Sequence, residues 1–260
     1  MLLSLQANSA ERIVSINLCT DQLLYLLADR EQILSVSYLS ADRNYSYLAD
    51  EMKTFPLNHA DVEEIIPLKP DLVLAGTYTN THTVHFLRSL GFRVEQVAIP
   101  WDMAHIEEGI QAVGELLNRQ ERAQAIINNM RQRRKMAEAR VAGKNRPLAV
   151  ILAPNGFTHG KGSMKGELLG MAGYRNLAAE AGIVRNGNIS LETLVQAQPD
   201  YLIIEDAANN QNSLAQRLLQ HPALKEGLPN ARRIAVHPNL WTCGGPSMID
   251  ALEILVDAHP

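Results

Sequence analysis

One uninterrupted helical pattern in the middle of the chain constrains its architecture more than any other feature. Residues 119–142 contain no Gly or Pro, and their apolar side chains recur at helical spacing. Asn118 with Glu121 is typical of a helix N-terminus, and Gly143 is typical of a helix end. At 1.5 Å per residue the predicted helix is roughly 36 Å long, about the width of a small domain. The pattern fits a surface helix of one α/β domain or a strut between two halves, and we favour the strut.

The composition excludes several classes of protein. With 260 residues, 46% of them hydrophobic and 20% charged, the chain has an ordinary globular composition and enough length for two lobes. The net charge of −4 argues against nucleic acid as a partner. The basic run 131–135 is interpreted as a solvated helix face. No apolar run approaches the roughly 18 residues that a membrane span requires.

The amino terminus and the two cysteines bear on the compartment. Residues 1–10 have an apolar start followed by small residues but no basic segment, so we expect a signal peptide that is absent or truncated in this chain. Cys19 and Cys243 are compatible with a disulfide, but free or ligand-lining thiols are the favoured expectation.

Short β-branched runs alternate with helical patterns on both sides of the long helix, which predicts βαβ units around mainly parallel sheets. The predicted strands are 12–17, 33–37, 71–75, 93–99, 148–153, 201–205 and 234–236. The predicted helices are 20–28, 62–68, 81–90, 102–117, 166–172, 191–198, 213–219 and 247–256. Turn chemistry at 154–156, 186–187 and 244–246 predicts loops, and open α/β sheets bind ligands through loops at strand ends.

Two segments, 62–74 and 191–203, match each other. In both, a short helix begins with an exposed acid, is ended by Pro and is followed by a buried strand. The aligned residues are Glu63 and Glu192, Pro70 and Pro199, and Asp71 and Asp200. The match is either a helix-to-strand turn reused by chance or the trace of two related lobes, and we favour related lobes.

These features together resemble one family of binding proteins. The segments on which the resemblance rests are 12–17, those around Glu63 and Glu192, the long helix, 157–161 and 241–246. The chain resembles the periplasmic substrate-binding proteins of ABC importers in the class that includes cobalamin, ferric-siderophore and haem binders. The resemblance implies an α/β fold with two Rossmann-like lobes, mainly parallel sheets and a single long linking α-helix. The implied boundaries are 11–117 for the N-terminal lobe, 118–143 for the helix and 144–260 for the C-terminal lobe.

The resemblance also implies a function. A monomeric periplasmic protein without a cofactor would capture a metal chelate between its lobes and deliver it to the membrane permease of the importer. It further implies that Glu63 and Glu192 meet arginines of the permease, since acids at helix starts can grip a basic partner. The alternative is a two-lobed α/β enzyme or assembly factor of metallocofactor or tetrapyrrole metabolism.

Aromatic and hydrogen-bonding residues follow several predicted strands, although aromatics make up only 5% of the chain. Such a collection suits a large, flat or chelate-like ligand. The candidate ligand-binding residues are Tyr38, Tyr78, Thr79 and Trp101 from the first lobe, and Asn155, Phe157, His159 and Trp241 from the second. We predict that His159 either hydrogen-bonds the ligand, which is favoured, or reaches its metal.

The histidines show no zinc-ligand spacing, and the sequence contains no catalytic motif.

Overall fold

The chain folds into two compact units. The structure is a computed structural model that describes residues 10–205 and 222–260. The first unit comprises the residues up to Ile99 together with Glu107–Asn128, and the second comprises Pro100–Ile106 together with Asn129–Pro260. The predicted helix 213–219 lies outside the described residues.

The first unit is built on a five-stranded parallel sheet with the order β3-β2-β1-β4-β5. Its strands are β1 (Ile13–Ser15), β2 (Ile33–Ser37), β3 (Leu57–Asn58), β4 (Leu72–Gly76) and β5 (Val94–Val97). Helices preceding the long central helix are α1 (Leu18–Leu27), α2 (Ala49–Met52), α3 (Val62–Ile65), α4 (Thr81–Ser89) and α5 (Met103–Leu116). Buried Val14 and Val73 of the sheet pack with Val84 and Leu87 of α4, so one face of the sheet forms a core with that helix.

The long helix is present as α6 (Gln120–Val141), and its buried side includes Ala123, Ile127 and Met130. Its predicted start is wrong at Asn118. That residue has a φ of 56°, and its N–H donates to the carbonyl of Glu115 at 3.1 Å. It therefore closes α5 in a left-handed C-terminal cap.

The second unit carries a four-stranded parallel sheet and a two-stranded antiparallel one. The strands are β6 (Leu148–Leu152), β7 (Phe157–His159), β8 (Arg175–Asn176), β9 (Asn186–Asn188), β10 (Tyr201–Glu205) and β11 (Arg232–Val236), with sheet orders β11-β10-β6-β8 and β7-β9. The helices are α7 (Met164–Met171), α8 (Leu177–Glu180), α9 (Leu191–Ala197), α10 (Pro222–Gly227) and α11 (Ser247–Asp257). The β7–β9 pair was not predicted, since the turn signal at 186–187 indicated only a loop.

Candidate functional site

Two tyrosines are exposed beyond the carboxyl ends of strands in the first unit. Tyr38 directly follows β2, is 46% exposed and stacks on the ring of His59 with centroids 4.8 Å apart. Tyr78 follows β4 and is 77% exposed. Because β2 and β4 flank β1 in one parallel sheet, both tyrosines belong to loops at the same sheet edge. Thr79 is buried, and its hydroxyl accepts the N–H of Gly76 at 2.9 Å, so it shapes the turn that carries Tyr78.

A buried acid lies at the same sheet edge. Asp21 in the first turn of α1 is fully buried, and its Oδ2 accepts the N–H of Ser37 at 3.1 Å. Burial raises the pKa of Asp21 well above its usual range, while hydrogen bonds from Ser15, Ser37 and Ser40 lower it by less. Asp21 is therefore a candidate neutral acid. This role of Asp21 was not predicted from the sequence, because an acid in a first helical turn is ordinarily an exposed residue near the helix dipole.

The antiparallel β7–β9 pair and the turn before it present three of the predicted residues of the second unit. Asn155 is exposed with a φ of 61°, and its carbonyl accepts a hydrogen bond from the Asn188 side chain at 3.0 Å. Phe157 is 37% exposed and meets the ring of His159 edge to face at 5.2 Å. Strand β7 therefore holds an apolar ring beside an imidazole.

His159 is held in one orientation and kept neutral. The side chain is buried, and its Nδ1 lies 2.9 Å from Oδ1 of Asn186. Burial and the positive charge of Lys165 lower the pKa of His159 to about 4, against an opposing effect of Glu205. We assign the proton to Nδ1, because Oδ1 of Asn186 can only accept it. Nε2 is then an unprotonated acceptor, and it has no hydrogen-bond partner among the described residues.

An ion pair lies beside this imidazole. The ammonium group of Lys165 on α7 pairs with Oε1 of Glu205, the last residue of β10, and the same oxygen is 3.9 Å from Nε2 of His159. The ammonium nitrogen also lies 5.1 Å from the ring centre of Trp241. Trp241 is only 3% exposed, and its Nε1 has no partner within the described part of the chain. The cluster thus combines one cation, one carboxylate and two unpaired nitrogens.

Lys165 and Glu205 were not predicted from the sequence as residues of the site. Both side chains are mostly buried, with exposed fractions of 17% and 11%. The available signal was a glutamate that ends the apolar strand 201–205. An acid at that position is at a strand end, where ligand-contacting residues occur in open α/β folds.

Trp101 belongs with the second unit, although it was predicted from the sequence to lie in the first lobe. The segment Pro100–Ile106 is part of that unit, and the Arg185 guanidinium lies 4.4 Å from the Trp101 ring centre. Trp101 remains 38% exposed, so part of the indole is available to a ligand. The contact with Arg185 restricts the ring orientation.

The predicted docking acids are exposed at equivalent positions in two helices. Glu63 is the second residue of α3 and Glu192 the second residue of α9. Neither carboxylate forms an ion pair with a residue that the structure describes. Both are therefore free to receive a cation from outside the chain.

Both cysteines are disulfide-bonded. The structure contains no free cysteine among residues 10–205 and 222–260, and Cys19 and Cys243 are each in a disulfide. The favoured expectation of free or ligand-lining thiols is wrong. The sequence could not decide between free thiols and a disulfide, because disulfide formation depends on the distance between the two cysteines in the folded chain.

Within the described ranges, no three His, Cys, Asp or Glu residues lie together in a group that could hold a metal ion. No helix in those ranges is both long and apolar enough to cross a bilayer.

Comparison with known proteins identifies relatives over almost the whole chain. A family model described as periplasmic binding protein matches residues 13–229. A cobalamin-binding protein of Halobacterium salinarum is 26% identical over 254 residues, which cover 95% of this chain and 69% of that protein.

Two solved structures have the same fold. The apo periplasmic heme-binding protein RhuT of Roseiflexus sp. RS-1 has a TM-score of 0.78 at 24% identity, covering 96% of this chain and 99% of its own. The periplasmic vitamin B12 binding protein BtuF of Vibrio cholerae has a TM-score of 0.70 at 22% identity, with 96% of both chains covered. These likenesses agree with the predicted two-lobed α/β architecture.

Proposed function

The chain belongs to the periplasmic binding protein family, and from this premise we propose that it is the substrate-binding component of an ABC importer whose cargo is a metal chelate. The cargo class is a cobalamin, a haem or a ferric siderophore. This family consists of binding proteins of transporters, so the alternative of an enzyme or assembly factor has no support. We further propose that the protein acts outside the cytoplasmic membrane and as a monomer.

Exposed aromatic side chains beyond strand ends carry the proposal for the cargo. Tyr38 and Tyr78 in the first unit, and Trp101 and Phe157 in the second, each keep more than a third of their surface exposed. Large aromatic faces cover the apolar parts of a macrocycle or chelate, and such contacts commonly dominate binding energy. Hydrogen bonds of Thr79 and Asn155 hold the loops next to Tyr78 and Phe157.

The His159 cluster supplies the polar part of the proposed site. The neutral imidazole, the Lys165 ammonium group and the Glu205 carboxylate lie within one connected group that also reaches Trp241. We assign His159 a hydrogen-bonding role toward the polar edge of the chelate. A ligand carrying amide or carboxylate groups would find both donors and an acceptor there.

Glu63 and Glu192 are proposed as contacts for arginines of the permease. Both are exposed and lack an internal cation within the described residues, so a basic partner would gain two charge-assisted hydrogen bonds without breaking existing ion pairs. Docking through these acids would be weakened by salt.

Ligand titration tests the proposed function. Gently purified protein would first be examined by absorption spectroscopy and mass spectrometry for a co-purified chelate. Cyanocobalamin, haemin and ferric hydroxamates would then be titrated against wild type, Tyr78→Ala and Phe157→Ala by calorimetry. We expect one chelate class to bind, and each variant to bind it roughly 5- to 10-fold more weakly, from about 1 kcal/mol per aromatic contact.

Met136→Ala is the matched control, because Met136 is 61% exposed but lies on α6. Its affinity should equal that of the wild type. Absence of binding by every chelate, or equal affinity of all four proteins, would contradict the proposed cargo.

A further inference from the structure

A groove on the first unit lies between α3 and α4, apart from the residues proposed for ligand binding. It has a volume of about 510 Å³ and is lined by Val62, His82, Thr83, His85, Phe86 and Ser89. The ring of Phe86 is 52% exposed, while Val84 and Leu87 of the same helix point into the core. The groove therefore offers an apolar surface that the fold of the unit does not itself cover.

Acidic residues flank Val62, which lines this groove. Asp61 precedes Val62 in the chain, and Glu63 and Glu64 follow it. Glu64 already has partners, because its carboxylate accepts the His59 N–H at 2.6 Å and lies 3.0 Å from Nδ1 of the same residue. These hydrogen bonds lower the pKa of Glu64, so it is ionised at neutral pH.

Asp61 and Glu63 have no such partner among the described residues. Arg88, which is the one Arg or Lys of α4, donates instead to the carbonyl of Val94, at 2.8 Å from its Nη2. Its charge is thus drawn toward the start of β5. Asp61 and Glu63, on either side of Val62, are thus available to a cation from outside the chain.

We propose that this groove receives an apolar side chain of a basic segment of the importer's membrane-embedded permease. The proposal rests on the proposed function and adds an apolar anchor to the contact made by Glu63. Apolar burial in the groove would supply affinity, and an adjacent arginine or lysine on the same segment would meet Asp61 or Glu63. A symmetric pair of copies of this chain fits poorly, since it would bring the same acidic residues against themselves.

Photo-crosslinking in cells tests the occupant. The full chain would be produced with p-benzoyl-phenylalanine in place of Phe86 in cells that contain its importer, irradiated, and the crosslinked product sequenced by mass spectrometry. We expect a permease subunit, and a several-fold lower yield when Glu63→Lys is added. The same photoreactive residue in place of Met136, exposed on α6, should not yield that product. A product containing a second copy of this chain, another protein or no partner overturns the proposal.

Binding to the permease identified in this way, reconstituted in nanodiscs, tests the contribution of the ring. Phe86→Ser should weaken binding at least fivefold, whereas Phe86→Leu should restore most of it by refilling the groove. Leu90→Ser is the matched control, because Leu90 is 49% exposed and close in the chain but does not line the groove. Chelate affinity should stay within twofold in all three variants.

The same measurements separate the two proposals. If the double variant Glu63→Ala/Glu192→Ala loses binding but Phe86→Ser does not, the groove proposal is wrong and the importer function stands. If the wild-type chain binds no chelate and no permease is crosslinked, the importer function itself is contradicted.

Discussion

The two units each bury an acid at the carboxyl edge of a parallel sheet, but they stabilise it in opposite ways. Asp21 of the first unit is surrounded by hydroxyl and amide groups, and burial raises its pKa. Glu205 of the second unit is paired with Lys165 and lies near a neutral histidine. The comparison shows that similar sheet edges can hold either a neutral acid or a charged pair, depending on the side chain that faces the acid.

This difference gives the two units opposite dependences on pH. A neutral buried acid stabilises the fold at low pH and loses that effect as pH rises through its raised folded pKa. A neutral buried histidine stabilises the fold at high pH and loses that effect as pH falls through its lowered folded pKa. Local stability in the first and second units should therefore change in opposite directions when pH is varied.

Breaking the charged pair should have the largest effect. Glu205→Ala leaves the Lys165 ammonium group mostly buried without its carboxylate, which we expect to destabilise the second unit by roughly 3 to 5 kcal/mol. Hydrogen exchange measured by mass spectrometry should show the loss in peptides of that unit. The double variant Lys165→Met/Glu205→Met should recover much of the stability, because no uncompensated charge remains. A small effect of Glu205→Ala would mean that water or another group already stabilises Lys165.

The acid response of His159 should be the next largest. Its folded pKa of about 4 lies below the usual value of 6.5, so the unfolded chain binds a proton first as pH falls. Stability should be complete above pH 6.5 and should fall by at most about 3 kcal/mol by pH 4. The measurement is the free energy of exchange of second-unit peptides between pH 7 and 4.

His159→Gln provides the control for that titration. The amide keeps a hydrogen-bonding group near Asn186 but cannot take up a proton in this range. The variant should therefore lose less stability than the wild type between pH 7 and 4, and the difference should be most of the loss expected from protonation of His159. An unchanged loss in the variant would assign the acid response to other groups.

The sequence predicted the repeat between the units because its determinants are local. Lys69 and Gln198 both adopt left-handed conformations, with φ of 45° and 46°, just before the two Pro-Asp pairs. Oδ1 of Asp71 accepts the Arg12 N–H at 3.2 Å, and Oδ2 of Asp200 accepts the Leu148 N–H at 2.7 Å. Each helix-to-strand turn is thus set by a left-handed residue, a proline and an aspartate that accepts a backbone N–H at the start of the adjacent strand. These three residues are consecutive in the sequence, so the turn can be recognised from the sequence alone.

The parts that the sequence missed depend on residues far apart in the chain. Lys165 and Glu205 meet across 40 positions, and His159 meets Asn186 across 27. The β7–β9 pair has strands of only three residues each, too short for a recognisable alternation of buried and exposed side chains. The main parallel strands were predictable because they are continuous apolar runs buried on both faces.

Removing the ability of Asp21 to ionise should have the smallest effect at low pH, and it tests directly whether this buried acid is neutral. Asp21→Asn keeps an oxygen that can accept the Ser37 N–H but cannot ionise, so at pH 5 we expect a change within about 1 kcal/mol. As pH rises, wild type should lose stability in first-unit peptides through ionisation of Asp21, while the variant should not. Hydrogen exchange would be followed from pH 5 to 9 with correction for the intrinsic rate.

Asp50→Asn is the control, because ion pairs with Arg43 and Lys53 lower the pKa of exposed Asp50 and place its titration below this range. If Asp21→Asn retains the slope of the wild type, Asp21 is charged in the fold, and the contrast between a neutral acid and a charged pair is lost.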